Sequence, residues 1–201
     1  MSSKMNKTLK LIPLGGVNEI GKNMTLLEFG EEIIVIDCGL SFPEDEMLGV
    51  DLVIPDISYL LRNKEKIKGI VLTHGHEDHI GAIPYVLKQI NIPIYGTKLT
   101  LGLLEKKLFE HSLDNVKLHC IKQDSSIKLG AFEIDIIRTS HSIADAVALA
   151  IHTPMGTIVH TGDFKIDYTP IDGQVLDFAK FAKLGEEGVL ALLADSTNVE
   201  R

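Results

Sequence analysis

The chain opens with short apolar stretches separated by glycine-bearing turns. Residues 9–13, Met24–Phe29 and residues 32–37 each carry the aliphatic and β-branched density of a short strand, with Gly15, Gly16, Gly21 and Gly30 between them. This pattern predicts a β meander. A polar loop with Phe42, Pro43, Glu44, Asp45 and Glu46 follows, and then the spacing predicts a short helix over 57–62 capped by Asp56.

From there strands and helices mix. Residues 67–73 form an apolar, β-branched run that stops abruptly at His74, and Ile80, Ile83, Val86, Leu87 and Ile90 recur at helical spacing over 79–90. A small strand at Ile94–Gly96, an amphipathic helix over 99–111 and a strand over 116–121 come next. The remainder reads mostly as β structure: strands over 132–138, 147–152 and 157–161, the last two joined by a turn at Pro154, Met155 and Gly156. A short helix over 177–183 and a final buried strand over 189–193 close the pattern. No repeat, low-complexity run or linker interrupts it. The order predicts an α/β fold, two mixed sheets with helices outside, built as one domain over 1–201.

Composition changes this picture little. With 201 residues, 45% hydrophobic and 24% charged, the chain is long enough for one core and unlike a disordered segment. No apolar run reaches the roughly 18 residues of a membrane span, and the N-terminus MSSKMNKTLK lacks a signal-peptide core, so the expected location is cytoplasmic. Cys38 and Cys120 are too few for a disulfide framework and read as reduced, buried thiols. The net charge of −8 argues against a broadly basic nucleic-acid surface. A site that gathers acidic ligands for cations adds negative charge by design, however, and its ions reverse the local sign.

The chemistry concentrates in Thr73-His74-Gly75-His76-Glu77-Asp78-His79, between a predicted strand and a predicted helix. Imidazole and carboxylate at this density suit zinc, and manganese would accept the same mixed donors. The alternative, a histidine-rich surface loop, is disfavoured by the placement at a strand end. His141 and Asp163 each follow a predicted strand, which brings the candidate ligands to six: His74, His76, Asp78, His79, His141 and Asp163. Alone, His141 reads as a surface histidine and Asp163 as a turn residue. Asp37, at the end of a core strand, reads equally as a turn residue or as a carboxylate that fixes the tautomer of a ligand histidine. His111, His119, His152 and His160 fit no ligand pattern, the last two reading as packed or hydrogen-bonded core residues within strands. Lys22, Lys98 and Lys165 are within reach of phosphates but read as solubility residues, and the acidic loop at 44–51 as a solvated face.

The run HGHEDH followed by Ile80-Gly81-Ala82-Ile83-Pro84 resembles the HxHxDH signature of the metallo-β-lactamase superfamily. The stretches GLSFPEDEMLGVDLVIPD at 39–56, His141 to Asp145, His160-Thr161-Gly162-Asp163-Phe164-Lys165 and Ala194-Asp195-Ser196-Thr197-Asn198 resemble the ribonuclease J family in particular. That resemblance implies a metallo-β-lactamase-like αββα sandwich in which His74, His76 and His141 hold one metal, Asp78 and His79 a second, and Asp163 bridges them. It implies two-metal hydrolysis of RNA phosphodiesters, with Asp78 and Asp163 in the catalytic centre; Asp78, lying on the metal, has a second role open to it below its ligand role, orienting the attacking hydroxide or accepting its proton. It further implies a structural calcium near the Gly49 carbonyl and the Asp51 carboxylate. The implied partner is single-stranded RNA with a 5′-monophosphate, processed 5′ to 3′ with some endonuclease activity in rRNA processing and mRNA decay. The implied full-length protein is a homo-oligomer, and this chain its N-terminal portion. The family completes its second metal site with a histidine beyond an inserted β-CASP domain, and the break after Arg201 falls where that insertion would begin. Two rival readings stand beside this one: another hydrolase of the same fold, a thioesterase or lactonase, and an RNA-binding remnant without catalysis.

Overall fold

The computed structural model describes residues 8–171 and 173–199; the stretch read above for a signal core falls largely, and Arg201 wholly, outside the described residues. Among the described residues eleven strands form two sheets. The first has six, in spatial order β1 (Leu9–Gly15), β2 (Met24–Phe29), β3 (Glu32–Ile36), β4 (Ile67–Val71), β5 (Ile94–Gly96) and β6 (Leu118–Cys120). The opening meander is antiparallel, and β3 to β6 run parallel, joined through α1 (Ser58–Arg62), α2 (Glu77–Ile80), α3 (Ile83–Leu87) and α4 (Lys98–Glu110). The second sheet has five strands, β7 (Ser126–Leu129), β8 (Phe132–Arg138), β9 (Val147–Thr153), β10 (Gly156–His160) and β11 (Ala191–Leu193), with α5 (Phe178–Glu187) on its outer face. Only the β10–β11 pair is parallel in this sheet.

Strand alternation builds the layers. On β2 and β3, Leu26, Ile33 and Val35 face the helices, while Leu27, Phe29, Ile34 and Ile36 face the second sheet. Both faces are covered, which is why these strands read as continuous apolar runs rather than alternating ones. From the other side Phe132, Ile134, Ile136, Leu149 and Ile151 fill the space between the sheets. Each such fully buried side chain contributes about 1.5–3 kcal/mol. On the far face Ile137, Ala148, Ala150 and Val159 pack against Leu184 and Phe181 of α5. The result is the predicted α/β sandwich, helices outside two sheets. No helix among the described residues is long and apolar enough to cross a membrane.

Several expectations need correction. The helix expected over 79–90 is broken at Gly81 and Ala82, because neighbouring segments claim its backbone groups. Asn23 N–H donates to the Asp78 carbonyl, Cys38 N–H to that of His79, and Ala82 N–H turns to the Cys38 carbonyl. Pro84, which has no N–H to give, sits in the first turn of α3, which starts at Ile83. Strand β7 was not foreseen; its alternating Ile127 and Leu129 are too short a signal. The last strand is a half-exposed edge, with Leu192 61% exposed, rather than a buried one. Cys38 is buried as expected, whereas Cys120 is exposed on edge strand β6. Asp56 does act at the start of α1, its carboxylate accepting from Ser58 N–H at 2.8 Å.

Candidate metal centre

Four strand ends converge at one edge of the sandwich. Strand β3 delivers Asp37, β4 leads into the Thr73–His76 loop and α2, β8 precedes His141, and β10 precedes Asp163. Two tight approaches fix this convergence. A Cβ on Gly39 would lie 1.6 Å from the Asp78 carbonyl oxygen, so only glycine lets the Cys38–Leu40 segment lie against α2. Gly162 turns with φ of 56°, and a Cβ there would press on Thr73 and the Val147 carbonyl at 3.0 Å.

All six predicted ligands meet there, in two groups that share Asp163: His74, His76, His141 and Asp163, and Asp78, His79 and Asp163. In the first, His76 Nδ1 lies 3.1 Å from His74 Nε2 and 3.2 Å from His141 Nε2. Asp163 Oδ2 stands 3.6 Å from His141 Nε2 and 3.9 Å from His74 Nε2. Donors held around zinc at about 2.0–2.1 Å in a tetrahedron lie about 3.3 Å apart, so this set fits one ion. In the second group His79 Nε2 lies 3.5 Å from Asp78 Oδ2 and 3.3 Å from Asp163 Oδ1. Asp163 thus turns one oxygen to each group, the geometry a bridging carboxylate requires.

Buried partners set the histidine tautomers. Asp37, 1% exposed and at φ of 59°, accepts from Thr73 N–H and from the Thr73 hydroxyl, each at 2.8 Å, and its Oδ2 is 2.8 Å from His79 Nδ1. With Nδ1–H given to Asp37, His79 is left to offer Nε2 to a cation once that nitrogen gives up its proton. The Thr73 hydroxyl spends its proton on Asp37 and accepts from His74 Nδ1 at 3.0 Å, which likewise frees His74 Nε2. Asn23 places its amide nitrogen 3.0 Å from both the Asp78 carbonyl and His79 Nε2, and 3.3 Å from Asp78 Oδ2.

Electrostatics follow the same contacts. Burial, helped by the neighbouring His79, pushes His74 down to about 3, and burial also lowers His141. Burial would likewise lower His79, but Asp37 and the hydrogen bonds of Asp163 and Asp78 hold it well above its ordinary value. Burial raises Asp163, yet the hydrogen bond and charge of His79 outweigh it and bring the carboxyl to about 2. The carboxylates stay ionised and His74 neutral, the forms in which each can ligate a cation.

The second group, Asp78, His79 and Asp163, lines a cleft of about 860 Å³, walled also by the Gly15–Gly21 turn, Asn23, His160 and the Asp195–Thr197 segment. Lys22 is paired with Glu19 and Lys165 with Asp167, each at 2.9 Å. His152 and His160 are hydrogen-bonded as expected, the first to Thr157 and Asp135, the second accepting from Gly162 N–H. Gly49 and Asp51 lie in an exposed loop, and Asp51 belongs to neither donor group. Asn23 went unnoticed in the sequence: a lone asparagine before a strand carries no spacing signal, and its partners are 55 and 56 residues away.

The family description "Metallo-beta-lactamase superfamily" matches residues 17–175, a span that holds every one of these ligands. The chain belongs to the metallo-β-lactamase superfamily. Within it, the chain is 54% identical over 197 residues to Ribonuclease J of Synechocystis sp., covering 96% of this chain and 31% of that protein. It is also 54% identical over 201 residues to Ribonuclease J of Thermus thermophilus, covering 96% of this chain and 35% of that protein. The chain therefore spans about a third of the length of these curated relatives. A crystal structure of a protein of unknown function from Enterococcus faecalis V583 superposes with a TM-score of 0.73 at 20% identity, covering 97% of this chain and 51% of that one, a likeness of fold alone. As a superfamily member the chain is expected to bind divalent metal, and its clustered donors suit one.

Proposed function

We propose that this chain forms the metal-binding part of a ribonuclease that hydrolyses RNA phosphodiesters, acting 5′ to 3′ from a monophosphorylated single-stranded end with some internal cleavage. The observation that carries the reading is the pair of donor groups joined through Asp163, in a chain 54% identical to two ribonucleases J. Two divalent ions, zinc or manganese, would supply Lewis-acid stabilisation of the phosphate oxygens and a water of lowered pKa. The chain's own residues do the rest. His74, His76 and His141 with Asp163 hold one ion, and Asp78 and His79 with the same Asp163 hold the other. Asp37 and Thr73 keep the imidazoles aimed, and the carboxylate of Asp78, beside the bridge, is placed to take a proton. Cytoplasmic RNA processing and decay, and a homo-oligomeric whole protein, belong to the same proposal. The calcium expected at Gly49 and Asp51 draws no support from that exposed loop.

The test is a gel assay with the whole protein on 5′-monophosphorylated RNA, run beside a small thioester and a lactone. RNA cleavage that His76→Ala abolishes while RNA binding persists is the expected outcome. Thioester or lactone turnover without RNA cleavage would favour another hydrolase of this fold, and less than about a tenfold loss in His76→Ala would remove this ligand's role.

A further inference from the structure

Helix α4 begins without a side-chain cap of its own: Thr97, at the N-cap position, makes no such bond. The missing acceptor comes from a distant loop. Asp145 Oδ2 accepts from Leu99 N–H at 3.2 Å, across 46 residues, and the Thr97 hydroxyl donates to the Asp145 carbonyl at 3.1 Å. Asp145 adopts a left-handed backbone, φ of 64°, to make both contacts. It ends the loop that carries His141.

The same helix turn presses on the other ligand loop of the first group. A Cβ on Gly75, between His74 and His76, would sit 2.7 Å from Leu103 Cδ1 and 3.6 Å from Thr100 Cα, with Ile143 of the His141 loop at 3.5 Å. The first turns of α4 therefore touch both loops whose histidines stand 3.2 Å apart. The second group is braced from elsewhere, by Asp37 on His79 and by Asn23 on Asp78. Helix α4 also reaches α2 through the Lys107–Glu77 ion pair, a solvent-accessible contact of small value.

We infer that Asp145 is a positioning residue: by capping α4 it fixes where His141 stands relative to His74 and His76, and so tunes the first metal group without touching the second. The inference rests on the metal-site reading above. Asparagine keeps a carbonyl acceptor and tolerates the left-handed backbone, whereas alanine offers neither.

The test titrates zinc into the chain and into its Asp145→Ala, Asp145→Asn and His76→Ala variants by calorimetry, with histidine side-chain nitrogen spectra of each. Asp145→Ala should bind the first ion about 10–100-fold more weakly. Its His141 signals should move while those of His79 hold, and Asp145→Asn should bind as the parent does. Parent-like zinc binding in Asp145→Ala, or an equal loss in Asp145→Asn, overturns the inference. So does equal disturbance of His79 and His141, which would mark a general loss of structure. If the parent takes up no zinc, or His76→Ala binds as the parent does, the metal reading itself fails and this inference falls with it.

Discussion

Asp163 is the residue on which the candidate centre turns, because among the described residues it alone belongs to both donor groups, Oδ2 toward His141 and Oδ1 toward His79. Asp78 serves one group only. Replacing a bridging carboxylate with an amide removes a negative charge from both ions at once, so Asp163→Asn should lower metal content more than Asp78→Asn. The expected loss is about tenfold or more in affinity for the former. Elemental analysis of the two purified variants decides it, and equal metal content would remove the reason for assigning the bridge to Asp163. At this scale the sequence was informative where chemistry is local. Four candidate ligands crowd into residues 74–79, and the other two follow predicted strands. The residues that aim and brace these ligands were harder to read. Asp37 could be raised but not decided against a turn role, because its partner Thr73 lies 36 residues away. Asn23 and Asp145 act at still longer range and carry no spacing that marks them.

Elements whose apolar period is long were legible, and those shaped by tertiary hydrogen bonds were not. Strands β2, β3, β8 and β9 follow from their aliphatic density, and α4 from its spacing. The split between α2 and α3 could not be read from Ile80, Ile83, Val86 and Leu87, which keep helical spacing across the break. It arises where Cys38 and Asn23 take up carbonyls and amides that a continuous helix would use. Helix α5 offers a cleaner case. Its start was expected at Asp177, and there the carboxylate accepts from Lys180 N–H at 3.1 Å. Its interior rests on Phe181 and Leu184 against the outer face of the second sheet. Removing the cap leaves that packing intact, so Asp177→Ala should cost about 1 kcal/mol in urea unfolding, with Asn restoring most of it. No change in the unfolding midpoint for the alanine variant would mean that water satisfies this helix end equally well.

The chain carries a net charge of −8, to which the donor groups contribute the carboxylates of Asp78 and Asp163, the acidic content a cation site needs. Its two donor groups are unequal. Among the described residues the first offers four protein donors and the second three, with Asp163 shared. Zinc prefers about four ligands, so an ion in the second group of this chain would draw on solvent as well, and its binding should be weaker. The chain should therefore hold one zinc tightly and a second only loosely. Because an ion that binds the folded state and not the unfolded one stabilises by RT ln(1 + [L]/Kd), the tight ion should raise the unfolding temperature measurably. At a free zinc concentration of 100 Kd the gain is about 2.7 kcal/mol. The same linkage sets the direction with pH: the ligands must be deprotonated to bind, so the zinc-dependent part of the stability should shrink as the solution is acidified. His74, whose imidazole stays neutral to about 3, should be among the last ligands lost. Calorimetric titration beside thermal melts with and without a chelator measures both quantities. The expected result is one tight equivalent and a melting temperature that falls on chelation, with little cleavage of 5′-monophosphorylated RNA by this chain alone, because two-metal hydrolysis needs both ions in place. Two equally tight equivalents with strong cleavage would show that three donors and solvent suffice for the second ion.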